Sequence, residues 1–211
     1  MNSIDRSRRR LAVAAAALAG YVDAAGCLSA NSYFVSFMSG NTTRLGVDLA
    51  TSPVSAMVPA LLIGGFVTGV FGGALLAAMA GPQRKFAVLA LVALLLGGAA
   101  LAGNAGRTAV LLGLLVLAMG ALNNTFQRDG EVSVGLTYMT GALVRFAQGL
   151  AAQMLGRRET GWQGWLMLWL GLALGAVTGA MVWLNRPDLA LWLAAAWAGG
   201  LALVARKLSV S

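Results

Sequence analysis

Uncharged, mostly apolar stretches dominate the chain: residues 49–83, 86–106, 108–127 and 160–185 carry no Asp, Glu, Lys or Arg, and 189–205 forms a shorter one. A helix crossing about 30 Å of hydrocarbon needs about 20 mostly apolar residues, so each stretch is long enough to span a bilayer. The pattern predicts six spans, at about 11–34, 55–80, 86–104, 108–127, 162–184 and 188–205. The first is apolar except for one carboxylate, Asp23, roughly 18 Å along a helix that starts at Leu11.

The same pattern repeats. The segment SFMSGNTTRLG at 36–46 returns as TYMTGALVRFA at 137–147. A shift of 101 residues pairs Leu11 with Leu112, Asp23 with Asn124, Phe37 with Tyr138, Ser39 with Thr140, Gly40 with Gly141 and Arg44 with Arg145. Further on, a shift of 106 pairs Gly65, Gly69 and Gly73 with Gly171, Gly175 and Gly179, each set on one helix face at i, i+4, i+8. The chain therefore reads as one membrane domain, 1–211, of two repeats, about 11–104 and 108–206. Each repeat has three spans, with an M-[ST]-G motif on a broken or re-entrant segment between the first and second.

An odd number of spans per half turns the second half upside down relative to the first. The expected fold is an all-α polytopic membrane protein built as a 3+3 inverted repeat, the plan on which many secondary transporters alternate access between the two faces. Cations bear on the topology. With both termini cytoplasmic, twelve Lys and Arg residues fall on the inner side, and only Arg44, Arg107 and Arg186 fall outside. That is the sense of the positive-inside rule.

Composition agrees. The 211 residues are 59% hydrophobic and 10% charged, with mean hydropathy +0.78, so the expected partner is a lipid bilayer. The net charge of +8 is absorbed by the cytoplasmic loops, and no nucleic-acid partner is expected. One cysteine, Cys27, and no histidine leave no imidazole ligand or base and no histidine to activate the thiol. Neither a metal, a cofactor nor an enzymatic activity is expected. The cationic start RSRRRLAVAAAALAG resembles a secretory leader, but Asp23 and the repeat partner of this segment argue against cleavage.

Candidate chemistry concentrates at the motifs. Asp23 inside a span suggests a site for proton or cation coupling or for solute contact, with Asn124 as its uncharged counterpart and Asn123 beside it; the alternative is an interhelical hydrogen bond. Ser39, Gly40, Asn41, Thr42, Thr43 and Arg44 combine hydroxyls, an amide, a flexible residue and a cation at a potential helix start, suited to an anionic or polar group. The alternative there is a helix cap with a snorkelling arginine. Thr140, Gly141 and Arg145 keep part of this set, whereas Ala142, Leu143 and Val144 replace the rest, so the first copy is expected to contact solute more. The glycine rows suit close helix packing, and Trp162 and Trp165 suit an interfacial anchor.

The stretches GYVDAAG, FVSFMSGNTTRLG, LNN and TYMTG resemble the YoaK-like family of bacterial inner-membrane proteins over nearly the whole chain; Ser39 stands where threonine is commoner in that family. The resemblance implies a six-helix, multi-pass inner-membrane protein and a small-molecule transporter. By length, the chain also compares with one half of a major facilitator transporter, in which case a homodimer would complete the pathway. The expected function is a small secondary transporter of an anionic or polar solute, with proton coupling through Asp23. Its rivals are a passive ion or solute channel and a non-transporting scaffold.

Overall fold

The computed structural model describes residues 6–29, 33–128, 131–132, 136–137, 139–157 and 161–210; Tyr138, named in the sequence reading, lies outside them. Among the described residues eight α-helices follow one another: α1 (Arg6–Ser29), α2 (Met38–Thr51), α3 (Met57–Ala80), α4 (Arg84–Asn104), α5 (Thr108–Leu122), α6 (Met139–Met154), α7 (Gln163–Asn185) and α8 (Pro187–Val210). Short 3₁₀ turns at Gly81–Gln83 and Asn123–Thr125 extend α3 and α5, and a two-residue antiparallel ladder joins Gln127–Arg128 to Glu131–Val132.

Among the described residues five continuous helical stretches are long and apolar enough to cross a membrane, and the longest, Met57–Asn104, contains both α3 and α4. The outward faces carry bare apolar side chains, such as Leu61, Phe71, Leu75 and Met79 on α3 and Leu170, Leu174, Val177 and Met181 on α7. Water would not tolerate so large an apolar surface, but lipid does. The protein is an α-helical, multi-pass membrane protein.

Backbone packing at glycine sets the helix pairs. A methyl group added at Gly171, Gly175 or Gly179 of α7 would run into the backbone of Val13, Ala17 or Tyr21 of α1. On the other side, Gly69 and Gly73 of α3 meet Leu117 and Ala121 of α5, while Gly65 meets the Val116 side chain. Residue numbers rise together along both seams, so α1 runs parallel to α7 and α3 parallel to α5. Without side chains between them the helix axes approach closely, and dispersion replaces the hydrophobic drive that lipid does not supply.

Helix ends fix the directions. Ser29, Asn104, Thr108, Trp183 and Asp188 line one cavity of about 480 Å³, which gathers the ends of α1, α4 and α7 and the starts of α5 and α8 on one side. The Tyr21 hydroxyl donates to the Ala190 carbonyl at 3.0 Å, and the Arg206 guanidinium lies 5.6 Å from the Phe86 ring centre at the opposite end. Because α3 parallels α5, it starts on the side where α1 finishes, so α2 leaves and returns on one side without crossing. By the same reasoning α6 stays on the other side. At the α4–α5 hairpin Gly106 has φ +70°, and the Gly106 and Arg107 N–H groups donate to the Gly103 and Ala102 carbonyls, a glycine-terminated helix stop.

The sequence pattern runs the first span to residue 34 and the fourth to residue 127, whereas α1 stops at Ser29 and α5 at Leu122. Of the excess, residues 33–34 belong to the connector before α2, and Asn123–Thr125 form the buried 3₁₀ turn that follows α5. Uncharged connector buried among helices has the same hydropathy as helix.

Candidate functional site

The two motif copies meet. A cavity of about 310 Å³ is lined by Asp23, Phe34, Ser36, Phe37, Met38 and Ser39 from the first half, and by Thr137, Met139, Thr140 and Gly141 from the second. Phe66 of α3 and Leu172 of α7 close it, and both sit near the middle of their helices. The first residues of α2 and α6 therefore face one central space, and the two short helices run from it toward opposite sides.

The connector before α2 is held by two side chains. The Val35 and Ser36 N–H groups donate to Asp23 Oδ1 at 2.9 and 2.8 Å. Asn41, fully buried, grips one residue from both ends: Phe34 N–H donates to its Oδ1 at 3.1 Å, and its Nδ2 donates to the Phe34 carbonyl at 2.6 Å. These bonds satisfy peptide groups that would otherwise be stranded in an apolar interior, where each unmade bond costs free energy. Phe34 and Phe37 meet edge to face, ring centres 5.3 Å apart, and both line the cavity.

The second half repeats the device with weaker groups. The Thr137 hydroxyl donates to Asn123 Oδ1 at 3.2 Å, and Asn123 Nδ2 donates to the Met119 carbonyl at 3.0 Å. The seams give the register. Gly20 faces Leu172 as Gly120 faces Phe66, and Ala17 meets Gly175 as Leu117 meets Gly69. The shift is therefore 100 in the first helix of each half, and the counterpart of Asp23 is Asn123, not Asn124. The extra residue that restores a shift of 101 at the motif lies between helix and motif. Asn124 does other work: its Nδ2 donates to the Val70 carbonyl at 2.9 Å and ties the end of α5 to α3.

Much of the motif points away from the cavity. The Thr42 and Thr43 hydroxyls donate to carbonyls one turn back, at Met38 and Ser39, and both residues are exposed, as are Leu143 and Val144 in the second copy. Gly40 packs against Phe34 and Phe37. Neither arginine lines the cavity. Arg44 lies over the Tyr33 ring at 4.5 Å and Arg145 over the Trp165 ring at 4.5 Å, while the Tyr33 hydroxyl donates to Asp48 Oδ2 at 3.1 Å. Arg145→Ala is expected to cost only about 0.5–1 kcal/mol, the usual worth of an exposed cation–π contact, measured as a small fall in melting temperature in detergent.

Sequence reading missed Ser36 and Thr137, although both open the quoted repeats and align as hydroxyls. It also missed Phe66 and Leu172, which carry no chemical signal beyond standing next to the paired Gly65 and Gly171.

The family model described as "Protein of unknown function (DUF1275)" matches residues 11–204. The chain belongs to the DUF1275 family. It is 43% identical over 191 residues to a UPF0700 transmembrane protein of Rhizobium meliloti (strain 1021), an alignment covering 89% of this chain and 82% of that protein. No solved structure matches it. Membership of DUF1275 fits the YoaK-like resemblance carried by the Asp23 and M-[ST]-G segments.

Proposed function

We propose that this DUF1275 protein is a small secondary transporter of the bacterial inner membrane that passes a small polar or anionic solute through the central cavity. Its halves, about 11–104 and 108–206 of one membrane domain, act as inverted repeats. One observation supports this above the others: helix starts from both halves line the same space at mid-depth. That is where transporters built from repeats hold their substrates, against the ends of broken helices. The opposed directions of corresponding helices, and the pairing of α1 with α7 and α3 with α5, support inversion. Rocking one glycine-seamed pair against the other would open the cavity to each face in turn, with α2 and α6 as the two gates. The cavity draws its walls from both halves of a single chain, so the reading needs no second protomer.

Both termini are assigned to the cytoplasm by the distribution of Lys and Arg. In this role Asp23 links the α1–α2 connector to the cavity and is the candidate for proton coupling.

Two experiments test the reading. With Cys27 replaced by serine, single cysteines at Thr51 and Gln153, toward the far ends of α2 and α6, are expected to react with an impermeant thiol reagent from opposite faces of the membrane. Labelling of both from one face overturns the inversion. Proteoliposomes are expected to take up solute at carrier rates, faster with an imposed pH gradient, and Asp23→Asn is expected to remove the gradient's effect. Ion currents far above carrier turnover would make the cavity a channel instead.

A further inference from the structure

We infer that the central cavity is built for a zwitterion, a small apolar amino acid being the simplest of the class, rather than for a simple anion or cation. The inference deepens the proposed transport role and rests on it for the cavity being a solute site. The argument starts from charge. Among the described residues Asp23 is the one charged side chain lining the cavity, and no described cation lies within salt-bridge distance of it. Arg44 and Arg145, which would favour an anion, are stacked on rings outside the lining.

Against the carboxylate stand the starts of α2 and α6, which line the same cavity; no side chain caps the start of α2. A helix start carries about half a positive charge. Two of them balance one carboxylate, leaving a space near neutral overall but strongly dipolar within. A lone anion meets the carboxylate, and a lone cation meets two positive helix ends. A molecule carrying both charges satisfies all three.

The remaining walls define the rest of the solute. Phe34, Phe37, Phe66, Met38, Met139 and Leu172 make an apolar enclosure, and Ser36, Ser39, Thr137 and Thr140 supply hydroxyls. At about 310 Å³ the space lies at the small end of ligand cavities, which run from about 300 to 1,000 Å³. An α-amino acid with a short apolar side chain fits this description: ammonium toward Asp23, carboxylate toward the helix starts and the Ser39 or Thr140 hydroxyl, side chain among the rings.

The test is binding to the purified full-length protein in nanodiscs, by calorimetry or thermal shift, with three probes of one shape: L-leucine, 3-methylbutylamine and 4-methylpentanoate. Leucine is expected to bind at least tenfold more tightly than either singly charged analogue. The amine or the acid binding as well as leucine overturns the inference, as does no binding by any of the three. Asp23→Asn keeps an acceptor for the connector but removes the charge, so the order is expected to shift tenfold or more toward 4-methylpentanoate. Should that variant not fold, the ranking on the unmodified protein decides alone. Uptake is read separately in proteoliposomes. Leucine binding without uptake defeats the transport reading and leaves the zwitterion site standing; uptake of another solute with no leucine binding does the reverse.

Discussion

Gly175→Leu is expected to give no folded protein. The α-carbon of Gly175 lies so close to α1 that even a methyl group would overlap the Ala17 carbonyl oxygen. That oxygen belongs to a helix backbone and cannot swing aside. Ordinary overpacking of a core costs about 1–3 kcal/mol because side chains can shift; here the whole α1–α7 seam must part, carrying Gly171 and Gly179 with it. Loss of the monodisperse peak in detergent chromatography is the measurement. Gly72→Leu on α3 is the control, since nothing lies within 4 Å of a β-carbon there, and it is expected to behave as the parent does. Equal behaviour of the two variants would mean that the seam is not what holds the bundle.

The second large effect is expected at Asp23. Asp23→Ala strands the Val35 and Ser36 N–H groups, both of which donate to this one oxygen. An unsatisfied buried donor costs about 1–3 kcal/mol, so the loss should reach several kcal/mol and free the connector in front of α2. Asp23→Asn retains an acceptor and should lose much less. The comparison separates structural from electrostatic roles: thermal unfolding of the alanine variant reports the connector, and the binding order of the asparagine variant reports the charge. If Asp23→Ala unfolds like the parent protein, the connector is held by Asn41 alone.

The membrane class and the helical fold were legible in the sequence because both are written in hydropathy; the pattern gives six spans where five described helical stretches are long and apolar enough to cross, because α3 and α4 run on as one stretch. Glycine at i, i+4, i+8 is a backbone-contact signal wherever it occurs, though which helix lies opposite it, α1 or α5, depends on topology across the halves. The motif misled more. Asn41, Thr42, Thr43 and Arg44 look like a binding loop when read in a line, but on a helix they point in different directions. Asn41 turns inward to grip Phe34, the threonines bond their own helix and Arg44 covers Tyr33. Only Ser39 of the polar set faces the cavity from that copy. The pairing of Asp23 with Asn124 failed for a simpler reason: two adjacent asparagines both give a polar match, and only the helix register across the seam tells which one occupies the Asp23 position.

The cross-half seams have a consequence for how the chain is made. Gly20 rests on Leu172, roughly 150 residues later, and at translation rates of about 5–20 residues per second α1 waits on the order of ten seconds or more for its mate. During that interval a furrow of exposed peptide carbonyls sits in the lipid with nothing to fill it, an invitation to an insertase or to the wrong neighbour. A chain cut between Asn104 and Thr108 should therefore yield two fragments that accumulate only when produced in the same cell.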